Sequence, residues 1–198
     1  MTLMVAVGWL GNAFYFSRFF VQWIQSERAG ASVAPTAFWW LSLGGAATLG
    51  AYAYWVGDTP LCLGYVVTFV IYVRNASIAH FGPRAGRVRA LPATGIALVA
   101  GAALITLAAR RGLDDPVGPY WIAAAFFGQA VFSSRFVVQW HATERKGESH
   151  FPRSFWWLSL VGNSFLLAYA VRRGDPVFIA GFALGPIVQV RNLMLPQR

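Results

Sequence analysis

The stretch SRFFVQW at residues 17–23 decides the fold, because it returns 117 residues later as SRFVVQW at residues 134–140. Three further motifs recur at the same offset: FWWLSL at 38–43 and 155–160, Gly-Asp at 57–58 and 174–175, and Arg-Asn at 74–75 and 191–192. Tryptophan and arginine are too rare for this agreement to arise by chance. The chain is therefore a tandem duplication, and the fold must contain the same unit twice.

Each copy contains three apolar segments long enough to cross a bilayer as helices, which takes about 20 residues. They lie near residues 3–25, 36–56 and 60–80 in the first copy and 119–141, 154–172 and 176–195 in the second. Another apolar segment, near 90–110, separates the copies. Because this odd helix restores the chain direction, both copies insert with the same orientation, as parallel repeats. The sequence predicts an all-α integral membrane protein with seven transmembrane helices in a 3+1+3 order, divided at 1–82, 83–117 and 118–198.

The composition agrees with a membrane protein, since 57% of the residues are hydrophobic and only 12% are charged. Soluble domains carry about 25% charged residues. The net charge of +9 comes without a nucleic-acid-binding motif, so we expect no nucleic-acid partner. Cations are concentrated in the predicted loops at 26–35, 82–89 and 142–153. That bias predicts an inner (plasma) membrane protein with its N-terminus outside and its C-terminus in the cytoplasm.

Four arginines lie inside apolar segments, at equivalent places in the two copies: Arg18, Arg74, Arg135 and Arg191. An arginine at the centre of a membrane helix costs about 2.5–3.5 kcal/mol, and none of the segments holds an acidic residue. Three explanations stay open: the side chains reach up to the headgroups, they bond main-chain oxygens and neighbouring amides, or they bind an anion. The third is the main hypothesis, because the planar guanidinium binds phosphate through two hydrogen bonds.

The candidate substrate-binding set combines these arginines with the amides beside them. Gln22 and Gln139 follow Arg18 and Arg135 by four residues, on the same helix face. The set is Arg18, Gln22, Arg74, Asn75, Arg135, Gln139, Arg191 and Asn192. Secondary candidates are Glu27, Glu144, Trp40 and Trp157. The glutamates could instead pair with nearby loop cations, and the tryptophans could instead form an interfacial aromatic belt.

Motifs for soluble catalysis are missing from the sequence. It contains no HExxH, CxxC, GxSxG or Walker loop, and its three histidines are scattered. We therefore expect no metal, no cofactor and no catalysis by this chain alone.

The repeated pattern of S-R-F-x-V-Q-W, E-R-x-G-x-S-x-x-P, F-W-W-L-S-L, G-D and R-N resembles the family of lipid-A-disaccharide synthase N-terminal domains. That family is similar to the PQ-loop group, which includes the SWEET sugar transporters and the KDEL receptors. The resemblance implies a SWEET-like fold and a role in lipid A biosynthesis.

Three functions follow as hypotheses. The first is a transporter or flippase for a lipid-linked sugar on a polyprenyl phosphate, whose anionic headgroup sits on the arginines. The second is a non-catalytic membrane subunit that docks a glycosyltransferase to its lipid substrate. The third is a receptor-like binding protein. The expected partner is an anionic lipid or lipid-linked sugar, with a membrane glycosyltransferase as a further candidate, and the oligomeric state is left open.

Overall fold

The computed structural model describes residues 2–30, 33–110, 117–146 and 151–195, and within these ranges the chain is helical and contains no strand. The helices are α1 (Leu3–Ala29), α2 (Thr36–Trp55), α3 (Thr59–Phe81), α4 (Pro83–Arg110), α5 (Pro119–Lys146), α6 (Arg153–Arg173), α7 (Pro176–Ala183) and α8 (Gly185–Met194). The prediction of an all-α fold is confirmed. Residues 83–89, predicted as part of a loop, are helical and form the start of α4.

Four helical stretches of the described residues are long and apolar enough to cross a membrane: Thr59–Phe81, Pro119–Ala142, Arg153–Arg173 and Pro176–Met194. The last of these joins α7 and α8, so the two short helices occupy the seventh predicted segment. Helices α1, α2 and α4 are not among the four. In α2 the tryptophans, tyrosines and glycines lower the mean hydropathy. Seven membrane crossings and the SWEET-like arrangement therefore stay predictions.

The chain packs as two compact units. Unit 1 contains residues 1–18 and 39–116, and unit 2 contains residues 19–38 and 117–198. Helix α1 thus contributes its first part to unit 1 and its last part to unit 2, although the whole helix belongs to the first sequence repeat. Inside unit 1, α4 packs against α3, and inside unit 2, α6 packs against α5, α7 and α8.

The repeated Gly-Asp pairs form the turns that precede α3 and α7. Gly57 and Gly174 adopt positive φ angles of 73° and 74°, a region that glycine enters without steric cost. Asp58 then caps α3 by accepting a hydrogen bond from the Leu61 amide at 2.9 Å. Asp175 caps α7 in the same way, through the amides of Val177 and Phe178. Each Gly-Asp pair therefore forms a turn and caps the helix that follows.

The break between α7 and α8 has a local cause in Pro186. Proline lacks the amide hydrogen that would bond the carbonyl four residues earlier, at Phe182. The side chain of Asn163 on α6 donates to that carbonyl instead, with a distance of 2.9 Å from Nδ2 to the oxygen. The first repeat has Ala46 and Phe69 at the equivalent positions, so this arrangement belongs to the second repeat alone.

Candidate functional site

Arg18 lies inside unit 1 with only 4% of its surface exposed. Its Nη1 donates to the Ser42 hydroxyl at 3.1 Å and to the Tyr72 hydroxyl at 3.0 Å. Its guanidinium carbon also lies 3.9 Å from the centre of the Tyr15 ring, a cation–π contact. Trp39 completes this group, since its ring centre lies 6.2 Å from that of Tyr72. We call these five residues the Arg18 cluster.

Arg135 occupies the equivalent position in unit 2 and is 5% exposed. Its Nη1 lies 3.4 Å from the Ser159 hydroxyl, at the long limit of a hydrogen bond. Its guanidinium carbon lies 3.4 Å, 4.5 Å and 5.4 Å from the ring centres of Phe132, Phe136 and Phe155. The repeat offset adds two further positions, Trp156 for Trp39 and Gln189 for Tyr72. We call Phe132, Arg135, Trp156, Ser159 and Gln189 the Arg135 cluster.

The buried arginine Nε atom has no hydrogen-bond partner in either cluster, and the clusters differ in their other polar atoms. Two tyrosines of the Arg18 cluster, Tyr15 and Tyr72, become Phe132 and Gln189 in the Arg135 cluster. Gln189 is 3% exposed, and its Oε1 atom has no hydrogen-bond partner in the structure. The indole Nε1 of Trp156 is also buried without a partner. A buried polar atom left unsatisfied costs about 1–3 kcal/mol, so unit 2 carries a donor and an acceptor that a further molecule could complete.

Close packing of α5 and α6 brings Phe132, Arg135 and Ser159 of this cluster together. A Cβ atom on Gly162 would lie 2.6 Å from the Phe132 amide nitrogen, so only glycine lets α6 approach α5 this closely. Trp156 and Ser159 are three residues apart on α6 and share one face. Gln189 comes from α8, which packs on α6, one turn beyond Pro186. Gln189, whose Oε1 atom has no hydrogen-bond partner, thus lies in the second half of the interrupted helix.

Gln22 and Asn192 form a separate polar pair in unit 2. Gln22 Nε2 donates to Asn192 Oδ1 at 2.8 Å, and Asn192 Nδ2 donates back to Gln22 Oε1 at 3.4 Å. Gln22 also donates to the Ser26 hydroxyl at 3.0 Å. Gln22 was expected to act together with Arg18, but its amide is used in a bond between residues that are 170 positions apart.

Arg191 meets a carboxylate, contrary to the expectation that no acid accompanies the four arginines. Its Nη2 lies 2.5 Å from Glu27 Oε1, and both side chains are partly exposed. Glu27 lies nine residues after Arg18 on α1 and therefore faces away from it. The first-copy equivalent of Arg191, Arg74, donates to the neighbouring Asn75 side chain at 3.3 Å.

The remaining candidates are placed as follows. Gln139 is buried on α5, one turn after Arg135. Trp40 and Trp157 are about half exposed, and Trp40 contacts the His80 ring edge-on at 6.2 Å between ring centres. Glu144 lies on α5, and its side chain is outside the described part of the structure. Among the described residues, no group of three or more His, Cys, Asp or Glu side chains could hold a metal ion.

Sequence reasoning missed the partners of the arginines. Ser42 and Ser159 could have been found, because both belong to the repeated FWWLSL motif and lie 24 residues after their arginine. Tyr72 could not, because the second copy has Gln189 at the equivalent position. At this position the informative feature is the residue that differs between the two copies, not one that they share.

Comparison with known proteins identifies the family. Residues 7–77 and 125–194 each match the model of the family described as Lipid A Biosynthesis N-terminal domain. The lipid-A-disaccharide synthase of Chlamydia felis is 30% identical over 211 residues, covering 98% of this chain and 33% of the relative. The synthase of Chlamydia muridarum is 31% identical over 212 residues, covering 97% and 34%. No solved structure matches the chain.

These relatives correct the expectation that the chain is not an enzyme and carries out no catalysis by itself. Proteins that match 97–98% of the chain carry the name of that enzyme. The chain spans about a third of their length, so their activity as whole proteins is not thereby assigned to it. The predicted family resemblance is confirmed in both copies, and the chain belongs to the Lipid A Biosynthesis N-terminal domain family.

Proposed function

We propose that this chain is a membrane domain that holds the anionic, sugar-bearing headgroup of a lipid for a glycosyltransferase of lipid A biosynthesis. The headgroup binds at the Arg135 cluster. The observation that carries the proposal is the contrast between the clusters: two tyrosines of the Arg18 cluster are replaced, and buried Gln189 and Trp156 atoms have no partner in the structure.

The chemistry of the Arg135 cluster suits such a headgroup. A guanidinium buried among phenyl rings attracts an anion more strongly than one in water, because the surroundings screen it less. Gln189 Oε1 accepts a hydrogen bond from a sugar hydroxyl, and Trp156 Nε1 donates one to a hydroxyl or phosphate oxygen. Gln139, buried one turn after Arg135, adds an amide. The apolar faces of a sugar ring pack against Phe132 and Phe155.

The link to a glycosyltransferase comes from the relatives, in which the matching region is about a third of a longer synthase. Four described stretches are long and apolar enough to cross a membrane. In this proposal the protein lies in the inner membrane, N-terminus outside and C-terminus in the cytoplasm, and presents its lipid to the enzyme.

The test is lipid binding by the purified chain in nanodiscs of neutral phospholipid. The probes are polyprenyl phosphoglucose and, as a control without charge or sugar, the matching polyprenol. Changing Phe132→Tyr together with Gln189→Tyr gives unit 2 the residues of unit 1. This variant should bind polyprenyl phosphoglucose at least about tenfold more weakly than the wild-type chain does, because hydrogen bonds to charged groups contribute about 1.5–3 kcal/mol.

The matched control is Tyr120→Phe, which removes a hydroxyl from a fully exposed ring and should leave binding unchanged. If the wild-type chain bound polyprenyl phosphoglucose and polyprenol equally well, the result would contradict the proposal. So would unchanged binding by the folded double variant.

Transport of the lipid-linked sugar is the second candidate. The interrupted α7–α8 stretch favours it, because substrate sites of transporters are often formed by discontinuous helices. Sided labelling of polyprenyl phosphoglucose in reconstituted vesicles separates the two functions. A transporter moves the lipid across the vesicle membrane and stops when Arg18→Ala and Arg135→Ala are combined. A domain that only holds the headgroup gives equal, background movement with and without these changes.

A further inference from the structure

Unit 1 contains a cavity of about 360 Å³ that no part of the proposed headgroup site uses. Its floor is formed by Cys62, Tyr65 and Val66 of α3. Its rim is formed by Ala47 and Ala51 of α2 and Ala100 of α4, which are exposed. The lining is almost entirely apolar, and the cavity opens between helices α2, α3 and α4.

Small residues line this space, and two of them are replaced by larger residues in the second repeat. Gly50 lines the cavity, whereas the equivalent position in the second repeat is Leu167. Cys62 corresponds to the larger Ile179. The α4 wall, with Ala97 and Gly101, has no counterpart, because α4 lies between the two repeats. The lining of the cavity therefore differs from the equivalent positions of the second repeat.

The surface around the opening indicates what fills it. Ile96, Leu98 and Val99 flank the α4 wall, and each is more than half exposed. Helix α3, which forms the floor, is one of the four stretches able to cross a membrane. A cavity that opens on such a surface faces hydrocarbon, and water gains too few hydrogen bonds to occupy an apolar space. An α-helix is about 10–12 Å across, so this volume would hold less than one helical turn.

We propose that the cavity binds an acyl chain of a bilayer lipid. An acyl chain is narrow and flexible and needs no hydrogen bonds. The contact also supports the Arg18 cluster, because the Tyr65 ring lies 6.4 Å from that of Tyr15, whose face packs on Arg18. The proposal rests on the membrane placement proposed above but not on the headgroup site, since a neutral lipid suffices.

The experiment uses the full chain in nanodiscs that contain phosphatidylcholine with a diazirine at the end of one acyl chain. After illumination, digestion and mass spectrometry locate the lipid adducts. We expect wild-type adducts on the α3 peptide that carries Cys62 and Tyr65. Combining Ala47→Leu, Ala51→Leu and Ala100→Leu fills the cavity from exposed positions, and adducts there should fall about tenfold, since close-packed side chains exclude the chain end.

The matched control combines Ser164→Leu and Ala168→Leu, the second-repeat equivalents of Ala47 and Ala51, which are also exposed. It should keep the α3 adducts at the wild-type level. If the triple variant does not fold, Ala100→Leu alone should give a partial loss. Undiminished α3 adducts in a folded cavity-filled variant would overturn the proposal, as would wild-type adducts that avoid α3. Cross-links from these residues to a second copy in place of lipid would also overturn it.

Carbonate extraction of native membranes tests the membrane placement separately from the acyl-chain site. Release of the chain by carbonate would remove both proposals. Retention in the membrane without α3 adducts would overturn only the acyl-chain site.

Discussion

Changing Tyr72→Phe removes one oxygen atom from the Arg18 cluster and keeps the ring. The lost interaction is the 3.0 Å hydrogen bond from Arg18 Nη1 to the Tyr72 hydroxyl. The Ser42 bond and the Tyr15 ring contact remain. Hydrogen bonds to charged groups contribute about 1.5–3 kcal/mol to stability. Since 1 kcal/mol shifts Tm by about 2–4 °C in a chain of this size, the expected decrease is roughly 3–12 °C.

Thermal unfolding in detergent, followed by loss of the monodisperse peak, measures this change. Tyr120→Phe is the matched control, because its ring is 89% exposed and should leave Tm unchanged. A Tyr72→Phe variant that melts with the control would refute the reasoning. The buried charge of Arg18 would then be stabilised by contacts other than the hydrogen bond to the Tyr72 hydroxyl.

Two further changes test the second repeat and its link to α1. Asn163→Ala removes the 2.9 Å donor to the Phe182 carbonyl, which keeps the Leu184 amide as a donor, and should lower stability by about 0.5–1.5 kcal/mol. Adding Pro186→Ala returns a main-chain donor, so the double variant should melt above Asn163→Ala alone, and a lower Tm would contradict our explanation of the helix break. Glu27→Gln breaks the partly exposed ion pair with Arg191. The substitution should therefore lower stability by no more than about 1 kcal/mol, and this loss should disappear at high salt. A large loss of Tm that salt does not reduce would show that this pair is more than a surface contact.

The repeat predicted the helices well because the apolar segments are long and their ends carry strong signals. The predicted segment 36–56 became α2 (Thr36–Trp55), and 119–141 became most of α5 (Pro119–Lys146). The break at Leu184 was missed because the segment around it stays apolar on both sides. It depends on Pro186 and on a side chain from another helix, Asn163. Local apolar patterns contain no information about such a partner.

The sequence singled out the arginines but not the residues that they contact. The arginines stand out as cations in apolar segments. Their partners come from distant parts of the chain, since Tyr72 is 54 positions from Arg18. The duplication also suggested equal roles for both copies, whereas Tyr72 and Gln189 give their clusters different chemistry. The pairing of Glu27 with Arg191 could not be predicted, because helix periodicity relates residues on one helix and these two lie on different helices.

The most direct test of the headgroup site compares how tightly Arg135→Gln and Arg18→Gln bind polyprenyl phosphoglucose. Both variants must be folded at the assay temperature. Our account predicts that Arg135→Gln weakens binding at least about tenfold, because it removes the cation of the incompletely satisfied cluster. Arg18→Gln should keep binding within about threefold, since a change without direct ligand contact carries well under 1 kcal/mol of binding energy. Wild-type affinity in folded Arg135→Gln would contradict the account.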